Sequence, residues 1–237
     1  MEPSVTQLST RRIAVAGVLS AVSILLILAP VGGFIPVPTP AANATTLHIP
    51  AIIGGILEGW PVGGLIGLIF GLGSFLRAQI PLFKDPWVAI LPRIFIGITP
   101  YFVYRALRSA SATWVMLFAL ALIAVAGIFS YQVATTHLVY GLLIAVLALL
   151  ASIGLIYLAR KQEAEVVAIS VAAAVGTLTN TVLVLTTAVV RGYLSADAAL
   201  AIGVTHGIPE IVVAVIITVA VVTAWKQIET GRGGARL

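Results

Sequence analysis

Cysteine is absent from the 237 residues, which removes disulfides, thiolate metal ligands and thiol nucleophiles together. Charge is nearly as scarce. Only 9% of the residues are Asp, Glu, Lys or Arg, against 60% hydrophobic ones, whereas a soluble domain carries about 25% charged residues. A chain of this length with so little charge cannot cover a water-facing surface, so its solvent is lipid. Apolar runs of about 20 residues recur along it, the length needed to cross a hydrocarbon core some 30 Å thick. With a mean hydropathy of +1.15, the chain reads as an all-α integral membrane protein.

Other absences narrow the chemistry. A phosphate-cradling G-x-x-x-x-G-K-[ST] loop is missing, so the chain does not bind ATP phosphates in that way. There is no H-E-x-x-H pair and no serine elbow. His206 and Glu210 are spaced i, i+4, but Pro209 between them makes a regular helical turn unexpected. The expectation is therefore no catalytic residue, no metal site and no cofactor. Thirteen basic residues outnumber eight acidic ones, yet they fall at span ends and are not interleaved with aromatics. That is a topological pattern, and nucleic acid is not an expected partner. The first apolar run follows Arg11 and Arg12 with no small-residue cleavage site before the proline-rich loop, and reads as a retained helix.

Eight apolar segments are expected, at 12–29, 43–58, 61–76, 87–107, 112–134, 137–159, 164–190 and 208–227. "PVGGFIPVPTPAANATT" after the first reads as a loop. In "EGWP", Gly59 can end one helix and Pro61 open the next. Residues 196–203 read as a short separate helix, with Pro209 opening the last span. Placing the amino terminus inside puts Arg11, Arg12, Arg105, Arg108, Arg160, Lys161, Lys226, Arg232 and Arg236 in the cytoplasm and leaves Arg77, Lys84 and Arg191 outside. The nine-to-three bias predicts both termini cytoplasmic.

Gly63, Gly67 and Gly71 recur every fourth residue and form a face for close helix packing. In the first segment Ala16 with Ser20, and Gly17 with Ala21, are small-xxx-small pairs on one side of a helix. They suit internal packing or a smooth docking face for a membrane partner. Arg93, in "WVAILPRIFIGITPYFVYRAL", stands out more. Seven residues at about 1.5 Å each place it about 10 Å deep, where a charge is costly and points to function. It either braces the helices or grips an anion, for which the guanidinium fork suits a carboxylate. Asn180, His206, Glu210, His48 and Thr46 (beside Thr45) fall in the same outer half of the bilayer under this topology. Glu58, at the opposite end, reads as a solvated interfacial carboxylate.

These stretches resemble a known family. "TTLHIPAIIGGILEGWPVGGLIGLIFGLGSFLRA", "FKDPWVAILPRIFIGITPYFVYRAL", "GTLTNTVLVL" and "GIPEIVVAVIIT" resemble the substrate-binding S components of energy-coupling factor (ECF) vitamin transporters, most of all the pantothenate-type branch. The resemblance implies a six-helix bundle that binds one vitamin from outside, beneath extracellular loops. It implies assembly with a transmembrane coupling subunit and two cytoplasmic ATPase subunits, and toppling in the bilayer to release the ligand. Small residues on the first helix meet the coupling subunit in that family, and Ala16, Gly17, Ser20 and Ala21 match that role. The family pattern passes almost directly from the "YFVYRAL" helix to the "GTLTNT" helix. Here residues 112–161 intervene and are expected to form an extra transmembrane hairpin.

The expected protein is thus one membrane domain over 1–237: an S-component-like six-helix bundle with an inserted hairpin, about eight helices, and a flexible cytoplasmic tail at 230–237. It would sit as a multi-pass protein in a prokaryotic plasma membrane and capture a vitamin, with Arg93 on its anionic group and Asn180, His206, Glu210, His48 and Thr46 around it. Pantothenate fits, having one carboxylate and a hydroxylated amide chain. Folate also carries carboxylates, and cobalamin has no need of Arg93. A self-sufficient secondary transporter would use Glu58 and Glu210 as proton sites, but inverted repeats are not visible and the two acids lie near opposite faces.

Overall fold

The computed structural model describes residues 9–29, 33–36, 43–108, scattered positions between 110 and 135, 138–160 and 164–234. Helix α1 (Thr10–Leu28) is capped by Ser9, whose hydroxyl accepts the Arg12 amide. The following stretch, expected to be loop, holds a two-stranded antiparallel ribbon. In it β1 (Phe34–Pro36) pairs with β2 (Asn43–Thr45) in the register Phe34↔Thr45. Because 43–45 are extended in the ribbon, the second apolar segment becomes helical only from α2 (Ile49–Glu58). Gly59, at φ 99°, ends α2 in a conformation that favours glycine, and α3 (Trp60–Leu76) starts at once with Pro61 in its first turn.

The segment expected at 87–107 is broken. After a 3-10 turn (Pro81–Lys84), Asp85 caps the short helix α4 (Pro86–Ala89), the chain bends at Ile90, and α5 (Leu91–Leu107) follows. Helices α6 (Leu138–Arg160), α7 (Ala164–Val190) and α8 (Ala196–Gly234) complete the described set. The expected start of a new span at Pro209 is corrected: α8 is one helix of 39 residues with Pro209 inside. A proline costs the Thr205 carbonyl its helical N–H, a loss that neighbouring groups make tolerable in membrane helices. Helix α8 also continues to Gly234, into the stretch expected to be a tail.

Thr10–Leu28, Pro86–Leu107, Ala164–Val190 and Ala196–Glu229 are long and apolar enough to cross a membrane. Helix α2, with 10 residues, covers only about 15 Å, half of a hydrocarbon core. If its Glu58 end lies at an interface, its His48 end lies near mid-depth.

The chain divides into two compact units, Met1–Tyr104 with Ile169–Leu237, and Arg105–Ala168. In the first, the Gly63, Gly67, Gly71 face packs as expected. A Cβ on Gly67 would strike the Arg93 carbonyl, one on Gly97 the Gly63 carbonyl, and one on Gly71 would lie 2.9 Å from Ile90 Cα. Helix α5 therefore runs along α3 in backbone contact over two turns, which fixes Arg93 beside the α2–α3 hairpin. Ile52, Ile66, Ile96 and Ile169 fill this unit's core. In the second unit Ser130 Oγ donates to the Gly141 carbonyl at 2.6 Å, and Gly141 lies against Ala134. Leu142, Leu143, Val146, Leu149, Leu150 and Ile153 are exposed on α6, as on a lipid-facing helix. The first arm expected for the hairpin, 112–134, lies largely outside the described residues.

Candidate ligand-binding site

The bend at Ile90 places α4 over the first turn of α5. From there Arg93 Nη1 donates to the Val88 carbonyl. The guanidinium lies over Phe83 and Phe70, 5.0 and 5.6 Å from the ring centroids. Arg93 is only 5% exposed, yet its Nε has no hydrogen-bond partner. Among the described residues nothing bonds Nη2 and no carboxylate pairs with the charge. Nε and Nη2 form one edge of the guanidinium, the edge that grips a carboxylate side-on. Its Nε is buried and empty-handed.

Glu210, on α8, is also buried, at 8% exposure. Its Oε1 accepts the Thr45 amide at 2.7 Å and the Thr45 hydroxyl at 3.1 Å, an anchor at the end of β2. Oε2 has no partner among the described residues. Arg93 and Glu210 are within electrostatic reach of each other, but no ion pair joins them. Each is held elsewhere, one by Val88 and two rings, the other by Thr45. Burying two opposite charges without pairing them costs several kcal/mol per ion, so a group that fits between them recovers much of that.

His48, wholly buried at the N-cap of α2, lies within reach of the Arg93 charge. Its Nε2 is 3.1 Å from Thr177 Oγ1, whose hydroxyl hydrogen goes to the Ala173 carbonyl at 3.1 Å. With that hydrogen on the Ala173 carbonyl, the hydroxyl would accept from Nε2–H. In that tautomer Nδ1 is a lone-pair acceptor, and in either one it is buried without a partner. Asn180, one turn along α7 from Thr177, has a buried Oδ1 with no partner. Thr46 is buried and its amide donates to the Gly33 carbonyl, fastening the segment before His48 to the base of the ribbon. His206 is buried one turn before Glu210 on the unbroken helix, with Nδ1 3.0 Å from Thr205 Oγ1. Gly203 and Gly207 let α8 approach α7 at Thr181 beside this turn.

The sum is chemically specific. Donors are open at one point, Arg93, and acceptors at His48, Glu210 and Asn180. Such a site suits a molecule with one anionic group and several O–H or N–H donors. Thr177, Phe70, Phe83 and the Val88 carbonyl were not picked out from sequence, and Thr45 was noted only as the neighbour of Thr46. "GTLTNT" contained Thr177, but only its Asn180 stood out as a buried polar residue.

Two expectations change. Glu58 is not solvated: at 6% exposure it receives Arg11 Nε at 2.8 Å and Arg12 Nε at 3.7 Å, and Arg11 also reaches Glu229 at 2.8 Å. The short α2–α3 turn tucks the carboxylate under the first turn of α1. On α1, Ala16 and Ser20 are buried while Gly17 and Ala21 are exposed, with nothing within 4 Å of a Cβ built on Gly17. The two small pairs thus face different surroundings. At the Arg93 end, Asp85 accepts Arg191 Nε at 2.6 Å, the Trp87 amide at 3.0 Å and the Tyr193 hydroxyl at 3.4 Å. Burial pushes this carboxyl up, but those donors and the Arg191 charge together hold it below the usual carboxylate range.

Residues 11–149, more than half of the chain, match the family described as the ECF transporter substrate-specific component. The pantothenic acid transporter PanT of Lactococcus lactis subsp. cremoris (strain MG1363) is 42% identical over 81 residues, covering 26% of this chain and 41% of that protein. The match thus spans about two fifths of the relative's length. With its apolar helices and the family match over residues 11–149, this is a multi-pass protein of the cell membrane, and it belongs to the substrate-specific component family of ECF transporters.

Proposed function

We propose that this subunit captures pantothenate from outside the cell for an ATP-driven importer. The observation that carries the reading is the buried Arg93, whose Nε has no hydrogen-bond partner and whose charge no carboxylate pairs among the described residues. Pantothenate has one carboxylate for that edge, and an amide N–H and two hydroxyls for His48, Glu210 and Asn180. The partial relative named as a pantothenic acid transporter supports the same ligand. The nine-to-three arginine and lysine bias supports cytoplasmic termini, so that the Arg93 end opens outward. A transmembrane coupling subunit would dock on the exposed Gly17 and Ala21 side of α1, and two cytoplasmic ATPase subunits would supply the energy. The ion-paired state of Glu58 weighs against a proton-coupled carrier that uses it as a proton site.

The test is a double cycle on the purified chain. Arg93→Ala is expected to weaken pantothenate binding by about 2–5 kcal/mol, and Arg93→Lys to restore only part. The neutral amide of pantothenate should bind wild type poorly and lose little more on Arg93→Ala. Equal losses for acid and amide would make Arg93 a brace and remove it from the site.

A further inference from the structure

We infer that Glu210 sets the specificity for the other end of the ligand, accepting an O–H or N–H donor on Oε2 and refusing a second anionic group. The inference rests on the reading of Arg93 as the carboxylate grip and adds a rule that this reading does not contain. Glu210 cannot turn away, because Thr45 holds Oε1 with both its amide and its hydroxyl. Arg93 cannot swing across to pair with it, because Val88 holds Nη1 and Phe70 and Phe83 flank the guanidinium. Once a ligand carboxylate takes the Nε–Nη2 edge, Arg93 is neutralised where it stands. Glu210 is then the remaining charge of the pair, in surroundings of low dielectric, with one oxygen unpartnered. A hydroxyl or amide hydrogen satisfies that oxygen. A second carboxylate or a phosphate facing it meets like charge, which costs far more here than in water. His48 adds to the same preference in the tautomer whose Nε2–H goes to Thr177, since its buried Nδ1 is then an acceptor without a donor. The site is therefore built for a monoanion with a neutral, hydrogen-donating remainder, and it discriminates against phosphorylated or dicarboxylic relatives of its own ligand.

Calorimetric titration of the full chain in detergent, with pantothenate and its 4′-phosphate ester as probes, tests this. The ester is expected to bind wild type at least about 100-fold more weakly than the alcohol. Glu210→Gln, of the same shape but uncharged, should shrink that ratio at least about tenfold, whereas Arg93→Lys should weaken both probes and leave the ratio unchanged. A ratio that Glu210→Gln leaves unchanged means the ester is rejected by size, and the inference falls. Biotin and nicotinate as monocarboxylates and folate as a dicarboxylate are titrated into the wild type alongside, so the result does not hang on a variant that folds badly. Folate binding as tightly as any monocarboxylate overturns the rule. Binding of a monocarboxylate other than pantothenate, with folate and the ester excluded, removes the pantothenate reading and keeps the rule. No binding by any probe removes both.

Discussion

Helix α2 is 10 residues long and has a buried ionisable residue at each end. At one end Glu58 is surrounded: Arg11 and Arg12 reach its two oxygens, and Glu229 balances Arg11 from the other side. At the other end His48 has one nitrogen satisfied and one orphaned, in the field of an Arg93 that has open donors and no paired carboxylate. Both clusters are buried and both join distant parts of the chain. The difference lies in completion. A buried charge with its partners in place needs nothing further, whereas one held away from any partner implies a partner that arrives later. By that criterion the Glu58 end is architecture, and the Arg93 end is where the proposed ligand would bind.

The sharpest way to break this comparison is to neutralise one charge at each end. Arg93→Met should abolish high-affinity binding while leaving the melting temperature of the ligand-free protein unchanged or higher. With no carboxylate paired to it, Arg93 gives up little attraction when removed, and the cost of burying its charge goes with it. Glu58→Gln should do the opposite: binding survives, while thermal unfolding in detergent shows a loss of about 1–2 kcal/mol, a modest value because Arg11 is half exposed. If Arg93→Met destabilises the empty protein as Glu58→Gln does, the two clusters are of one kind and the criterion fails.

What could be read from sequence follows the same division. Lipid as solvent, the α2–α3 turn at Gly59 and Pro61, and the Gly63, Gly67, Gly71 seam were legible because composition, turn chemistry and period act locally. The burial of Arg93 was legible because a charge inside an apolar run has few explanations. The ribbon at 34–36 and 43–45 was not, since its pairing is made across a proline-rich stretch with no alternating pattern to mark it. Pro209 was given too much weight: its local cost is real, but packing of α8 against α7 at Gly203 and Gly207 overrides it. Glu58 was misjudged because its partners are 46 or more residues away, and nothing near it in sequence announces them. The hydrogen bond between Thr45 and Glu210 joins residues 165 apart and escaped for the same reason.

The comparison extends to packing on α1, with a smaller expected effect. Ser20 is buried, while Gly17 lies in the open. Ser20→Leu should cost about 1–3 kcal/mol by overpacking. Gly17→Leu should leave folding and affinity for the proposed ligand unchanged and reduce co-purification with the proposed coupling subunit, because a large side chain holds a partner helix away. A melting temperature that falls equally in both variants would show that Gly17 also packs inward.

The smallest effect is expected at the rim, where the criterion meets a completed cluster beside the incomplete one. Asp85 caps α4 through the Trp87 amide and ties it to the α7–α8 connection through Arg191. Helix α4 in turn supplies the Val88 carbonyl that orients Arg93. The Asp85 carboxyl is held below its usual range in the folded protein. A depressed folded value means that its contribution to stability is present above the unfolded value, about pH 4, and is lost as pH falls through the lower folded one. Asp85→Asn keeps a capping oxygen but loses the charge, and Arg191 is half exposed, so the deficit should be small and weakened by salt. The melting temperatures of wild type and Asp85→Asn should therefore differ by a constant amount from pH 7 down to about pH 4, then converge on further acidification. A gap that stays open at the acid limit would mean that Asp85 acts through its shape alone. No gap at any pH would mean that the rim is held without it, and Val88 would then keep Arg93 in place unaided.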